Sequence, residues 1–161
     1  ARHAVVTASS CIRDTKPENV ISGITWEKSG STAHRWMASL REGPAWVRLE
    51  WERPVKVSEV QLTHDTGLGR VLTMSAAQSI QKKMITGPQP ETARDYALYG
   101  VLPDGSERKL ADVTGNYQRL RRHRFDPVEL KALRIEIRRS DGGEARLYEV
   151  RVYGEEENAA G

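Results

Sequence analysis

The side chains that invite a chemical reading sit in polar stretches of the chain. Trp26 lies in ITWEKSGSTAHR, residues 24–35, among glycine and serine and without alternating apolar neighbours that would hide it. Tyr117 stands in GNYQR, and Arg119, Arg121, Arg122, His123 and Arg124 follow it closely. With a net charge of only +3, any attraction for an anion must come from such a local cluster. On a strand its members alternate between two faces, and the cluster then reads as solvated surface. His64 ends an alternating run in phase with Leu62, and Asp65 follows it at the mouth of a long irregular segment.

Catalysis finds little support. The chain has no H-E-x-x-H and no G-x-S-x-G, and its carboxylates are scattered along solvent faces rather than paired. Four histidines without a spacing pattern do not make a zinc site. No G-x-G-x-x-G opens a βαβ unit, so nothing here binds a dinucleotide on its own. Cys11 is the only cysteine, which rules out an internal disulfide. Nothing near it supplies a base, so it reads as a small buried hydrophobe.

The elements that must position these groups are strands. In AWVRLEWERPVKVSEVQLTH, residues 45–64, Val47, Leu49 and Trp51 alternate with Trp46, Arg48 and Glu50. Arg53-Pro54 is expected to end that run, because proline gives no N–H to a ladder. A second alternation follows through Val60 and Leu62. Two half-buried strands so close together argue for an antiparallel sandwich rather than a doubly wound α/β fold.

Further strands are expected at residues 4–10, from Asp95 through Leu98, at Lys109–Val113, at Arg121–Phe125 and at Arg146–Tyr153. Asp126-Pro127 is read as a break before another run, in which Leu133, Ile135 and Ile137 alternate with charged residues. Pro103-Asp104-Gly105 and Asp141-Gly142-Gly143 are turns. Val20 and Ile21 anchor a turn-rich segment, DTKPENVISG.

Residues 65–93 hold two weakly helical pieces, near Leu72–Ile80 and Ile80–Ile85, in a connection long enough to suggest function. The sum is an all-β fold, an antiparallel β-sandwich jelly roll of about eight strands, spanning 1–154 as one domain, with 155–161 a disordered acidic tail. At 161 residues with 38% hydrophobic content, the chain can bury a core without disulfide or metal staples. It begins without methionine, which reads as a mature product or an excised piece.

Taken in order, VTASS, ENVISG, RWMAS, PAWVRLEWERPVKVSEVQL, ARDYALYGVLPDG, HRFDPVELKALRIEI and ARLYEVRVYG resemble the discoidin or coagulation factor 5/8 type C family, which has a galactose-binding-like jelly roll. VQLTHDTGL and GNYQRLRRHRFDP look more narrowly like the discoidin-type regions of bacterial FAD-dependent oxidoreductases. The same type of module is appended to glycoside hydrolases as carbohydrate-binding modules. The resemblance implies a non-catalytic accessory domain of a larger bacterial enzyme, binding sugar through loops at one end of the sandwich, residues 24–34, 64–93 and 116–122.

Sugar recognition needs an aromatic platform for the C–H face and planar polar groups for the hydroxyls, since a buried hydroxyl without a partner is costly. On that reading Trp26 is the first platform and Tyr117 the second. The alternatives are a plug on the sandwich end for Trp26 and a structural corner for Tyr117. The polar partners are His34, His64, Asp65, Arg119 and Arg121, with the arginines making bidentate contacts. His64 reads equally as a packing residue, and the arginines as charges that keep an edge strand soluble. Trp36, Trp46 and Trp51 belong to core or sheet.

The resemblance also implies a structural calcium, held by Asn19, Ser22, Gly23, Glu149 and backbone carbonyls. Here Ser22 stands where the family often has aspartate, which weakens the site. Implied partners are a poly- or oligosaccharide and the catalytic domain of the same parent chain, with the module a monomer in an extracellular or periplasmic setting. Nucleic acid and membrane are not expected. The rivals are an interaction or structural domain of an FAD-dependent oxidoreductase without a sugar ligand, and a binder of anionic polysaccharide or membrane surface through Arg119 to Arg124.

Overall fold

The computed structural model describes residues 1–28, 30–68, 78–81 and 84–154. Its strands are β1 (Val5–Ala8), β2 (Trp36–Ser39), β3 (Ala45–His64), β4 (Ala93–Val101), β5 (Glu107–Val113), β6 (Leu120–Ser140) and β7 (Glu144–Tyr153). A 3₁₀ turn covers Pro17–Ile21 and one helical turn, α1, covers Gln78–Gln81. All strand pairs are antiparallel, in the order β2-β7-β3-β6-β4-β5, with β1 also on β3.

The two longest strands each serve both layers of the sandwich. Residues 45–50 of β3 lie between β1 and residues 132–137 of β6, with β4 and β5 beyond. Residues 59–64 of β3 lie between β7 and residues 120–124 of β6, with β2 beyond. Strands change layer through bulges in this way when two sheets close over one core. That core contains Val47, Leu49, Leu98, Leu133 and Ile135 together with Trp36, Val60, Leu62, Leu147 and Val150.

Two expected breaks are therefore absent. Arg53-Pro54 and Asp126-Pro127 lie inside β3 and β6, and the chain stays extended through both. Between the Glu50 and Val55 pairings β3 advances further than its partner, and between Glu59 and Val57 it is β6 that carries the extra residues. Each proline sits in one of these excursions, where no ladder N–H is required. Across the second irregularity the buried positions of β3 also change phase, from Val57 to Val60. Merging two pairs of expected strands and adding β2 gives seven rather than about eight.

Elsewhere the outcome follows the pattern. Leu102 N–H bonds to Ser106 O at 2.8 Å and closes the turn between β4 and β5. Val20 is fully buried from the 3₁₀ turn. Cys11 differs: it is exposed rather than buried. Of the helical pieces expected in 65–93, α1 is present, while 69–77 and 82–83 lie outside the described residues, as does the tail 155–161.

Candidate functional site

Where β3 ends and β6 and β7 begin, the connections frame a cavity of about 370 Å³. Trp26, Glu27 and Lys28 come from the loop before β2, and Arg35 from the residue preceding that strand. Asp65 and Leu68 follow β3, Arg119 immediately precedes β6, and Arg146 and Tyr148 share one face of β7.

The floor is an ion-pair network. Asp65 Oδ2 lies 3.0 Å from Arg35 Nη1 and 3.3 Å from Arg146 Nη1, while Asp65 Oδ1 accepts the Gly67 N–H at 2.8 Å. Arg35 Nη1 also donates to the Tyr148 hydroxyl at 3.0 Å and faces Glu27 Oε2 at 3.2 Å. Glu27 Oε1 accepts the backbone N–H of His34. Both carboxylates are only 2% exposed, whereas Arg35 and Arg146 are 13% and 17% exposed. A ligand entering the cavity thus meets guanidinium before carboxylate.

Arg119 is held differently. Its guanidinium donates to the carbonyls of His64, at 3.2 Å, and of Thr25, and it lies 5.1 Å from the Tyr148 ring centroid. Its own carbonyl accepts the His64 N–H at 2.7 Å, which ties the start of β6 to the end of β3. The Thr25 contact fixes the loop that carries Trp26. Trp26 itself is 63% exposed. Burial raises the Tyr148 hydroxyl above its ordinary range, so it is a neutral hydrogen-bonding group.

Of the residues singled out in the sequence, Trp26, Asp65 and Arg119 line this cavity. His64 does not. It is fully buried against Tyr96, with ring centroids 4.9 Å apart and both ring nitrogens lacking a hydrogen-bond partner. Burial first, then the charges of His123, Arg121 and Arg119, push its pKa down to about 3. A ligand role for His64 is thereby corrected: the ring belongs to the core, one residue short of the surface that Asp65 reaches.

His34 contributes its backbone to Glu27, and its side chain is not among the lining groups. Tyr117 is exposed but lies off the cavity wall. Arg121 donates to Asn116 Oδ1 at 3.1 Å. The basic cluster is thus divided. Arg119 faces the cavity, His123 is buried with its Nε2 2.9 Å from the Tyr96 hydroxyl, and Arg124 pairs with Glu59 at 2.5 Å.

The calcium set is placed as follows. Asn19 Nδ2 donates to Arg35 O at 2.9 Å, Ser22 Oγ accepts the Ile24 N–H at 3.2 Å, and Gly23 takes a positive φ of 82°. Glu149 is buried and pairs with Arg151 Nε at 2.9 Å. Glu149 supplies the only carboxylate of this set and faces Arg151, so carbonyl oxygens would have to provide most of the ligands for a hard cation.

Sequence reading missed Glu27, Arg35, Arg146 and Tyr148. The last three lie in RWMAS and ARLYEV, stretches whose alternation reads as strand. Their convergence depends on the pairing of β2 with β7, which places Trp36 opposite Leu147.

Comparison with known folds places the domain among the discoidin-like, galactose-binding-like β-sandwiches. The family 32 carbohydrate-binding module of NanJ from C. perfringens, solved in complex with galactose, matches with a TM-score of 0.67 at 16% identity, over 93% of this chain and 93% of that one. CpGH89CBM32-5 from Clostridium perfringens, in complex with GalNAc-β-1,3-galactose, gives 0.68 at 14% identity over 94% and 96%. A fucose binding module of Streptococcus pneumoniae gives 0.66 at 15% over 94% and 91%. No curated protein matches the chain. Residues 1–83 match a family profile, and the chain belongs to that family, the domain of unknown function DUF7402.

Proposed function

We propose that this domain is a non-catalytic carbohydrate-binding module whose sugar sits on Trp26 at the mouth of the cavity above Asp65. One observation carries the reading: a largely exposed indole borders a concave site whose polar groups are already held in place. An indole face accepts the C–H surface of a pyranose, and fixed guanidinium and hydroxyl groups take its hydroxyls without reorganising. The fold neighbours named above include modules solved with galactose and with GalNAc-β-1,3-galactose, which agrees in class. The open site buries limited area, so affinity is weak. The module then serves as an accessory domain, raising the effective concentration of a catalytic domain of the same parent chain near its polymer.

A glycan array on the isolated domain, followed by titration of any hit, tests this. The expected result is a reproducible hit that Trp26→Ala abolishes while the circular dichroism spectrum is unchanged. A blank array from a folded domain would overturn the reading and favour an interaction domain of an oxidoreductase instead.

A further inference from the structure

The cations of the cavity are not equivalent. Arg35 faces Glu27 and Asp65, and Arg146 faces Asp65 and Glu144, at distances between 2.7 and 3.3 Å. Arg119 is anchored on two neutral carbonyls and a tyrosine ring, and Lys28 is exposed two residues from Trp26. Among the described residues, neither Arg119 nor Lys28 makes an ion pair. Both lie on the Trp26 side: Arg119 holds Thr25, and Lys28 shares the Trp26 loop. Glu91 lines this cavity too, and it also lines a second hollow with Pro90, Gly142, Glu144 and Arg146.

Beside the platform the cavity wall therefore carries two cations that no carboxylate among the described residues pairs with directly. Arg119 is also pre-oriented, with guanidinium N–H groups beyond the two that its carbonyl partners use. A planar carboxylate is the group that such a fork binds best.

We infer that the sugar seated on Trp26 is an acidic one, a uronic acid or another carboxylated pyranose, whose carboxylate is received by Arg119 with Lys28 strengthening the local field. This rests on the carbohydrate reading of the same cavity. Neutral sugars would satisfy the platform and leave the charge of this wall unanswered.

The test uses matched probes: tetragalacturonate against its methyl ester, and 3′-sialyllactose against lactose, titrated calorimetrically at low and high salt. In at least one pair the acid is expected to bind about tenfold more tightly, with the preference shrinking at high salt. Arg119→Gln should remove that preference and leave the weaker neutral binding. Should Arg119→Gln fail to fold, Lys28→Gln on its exposed side chain decides: a reduced preference supports the cationic wall and an unchanged one overturns it. Equal binding of acid and neutral partners sinks this inference and leaves the carbohydrate reading standing. If no probe binds and the glycan array is blank, both fall together.

Discussion

On the exposed face of β4, β5 and β6, Arg134 lies 4.3 Å from the Tyr99 ring centroid and pairs with Glu107 at 3.0 Å and Glu136 at 2.6 Å. In the cavity, Arg119 lies over Tyr148 in a similar way and pairs with no carboxylate. Nearby on the open face, Asp112 receives both Lys109, at 2.8 Å, and Arg138. Residue types are shared between the two regions; shape and charge balance are not. On the flat face Glu107 is 45% exposed and water screens its pair with Arg134. In the cavity the carboxylates are sealed beneath guanidinium groups, so removing one exposes a buried imbalance.

That contrast is broken most severely at Asp65. Asp65→Ala leaves Arg35 and Arg146 facing each other without their shared anion, and should lower stability by about 3–5 kcal/mol in chemical denaturation. A loss near zero would mean that solvent already screens the network.

Acid should act next, through the buried histidines. Burial holds His64 at about 3 and His123 at about 4, against an ordinary value of 6.5. Above pH 6.5 both states are neutral and stability is unaffected. Below it the unfolded chain takes up protons that the folded core refuses, so stability falls as pH falls. For His64 the slope is about 1.4 kcal/mol per pH unit down to its folded pKa. His64→Gln should flatten a melting temperature series between pH 6.5 and 4.

Trp26→Ala should weaken sugar binding by at least about tenfold. Its melting temperature should stay near that of the parent, because the indole is mostly exposed. A matching drop in stability would assign Trp26 to the plug role instead. On the flat face, Arg134→Gln should cost less than about 1 kcal/mol and leave glycan titrations unchanged. Smallest of all, EDTA should not move the melting temperature, given that Glu149 is paired with Arg151.

The layers of the fold were legible because Val47, Leu49, Leu133 and Ile135 alternate strictly with polar residues, and a period of two survives without tertiary information. Pro54 and Pro127 misled for a physical reason. A proline marks a missing N–H, and only the partner strand reveals whether that N–H was needed. The site was partly legible. Trp26 stood out as an aromatic in polar surroundings, whereas Arg146 and Tyr148 look like any two alternate residues on one face of a strand. His64 and Asp65 are adjacent in sequence yet divide between core and cavity, a distinction of one residue that the strand end alone determines.

The sharing of β3 and β6 between the two layers has a mechanical consequence. Neither layer can peel away while the other stays intact, because each holds half of the same two strands. Partial opening therefore disrupts pairings across the molecule, and the domain should unfold in one cooperative step. Most of those pairings join residues far apart in the chain, which makes refolding slow. In the tethering role proposed above, the domain would resist tension as one unit until it yields, and its grip on the sugar would end in the same event.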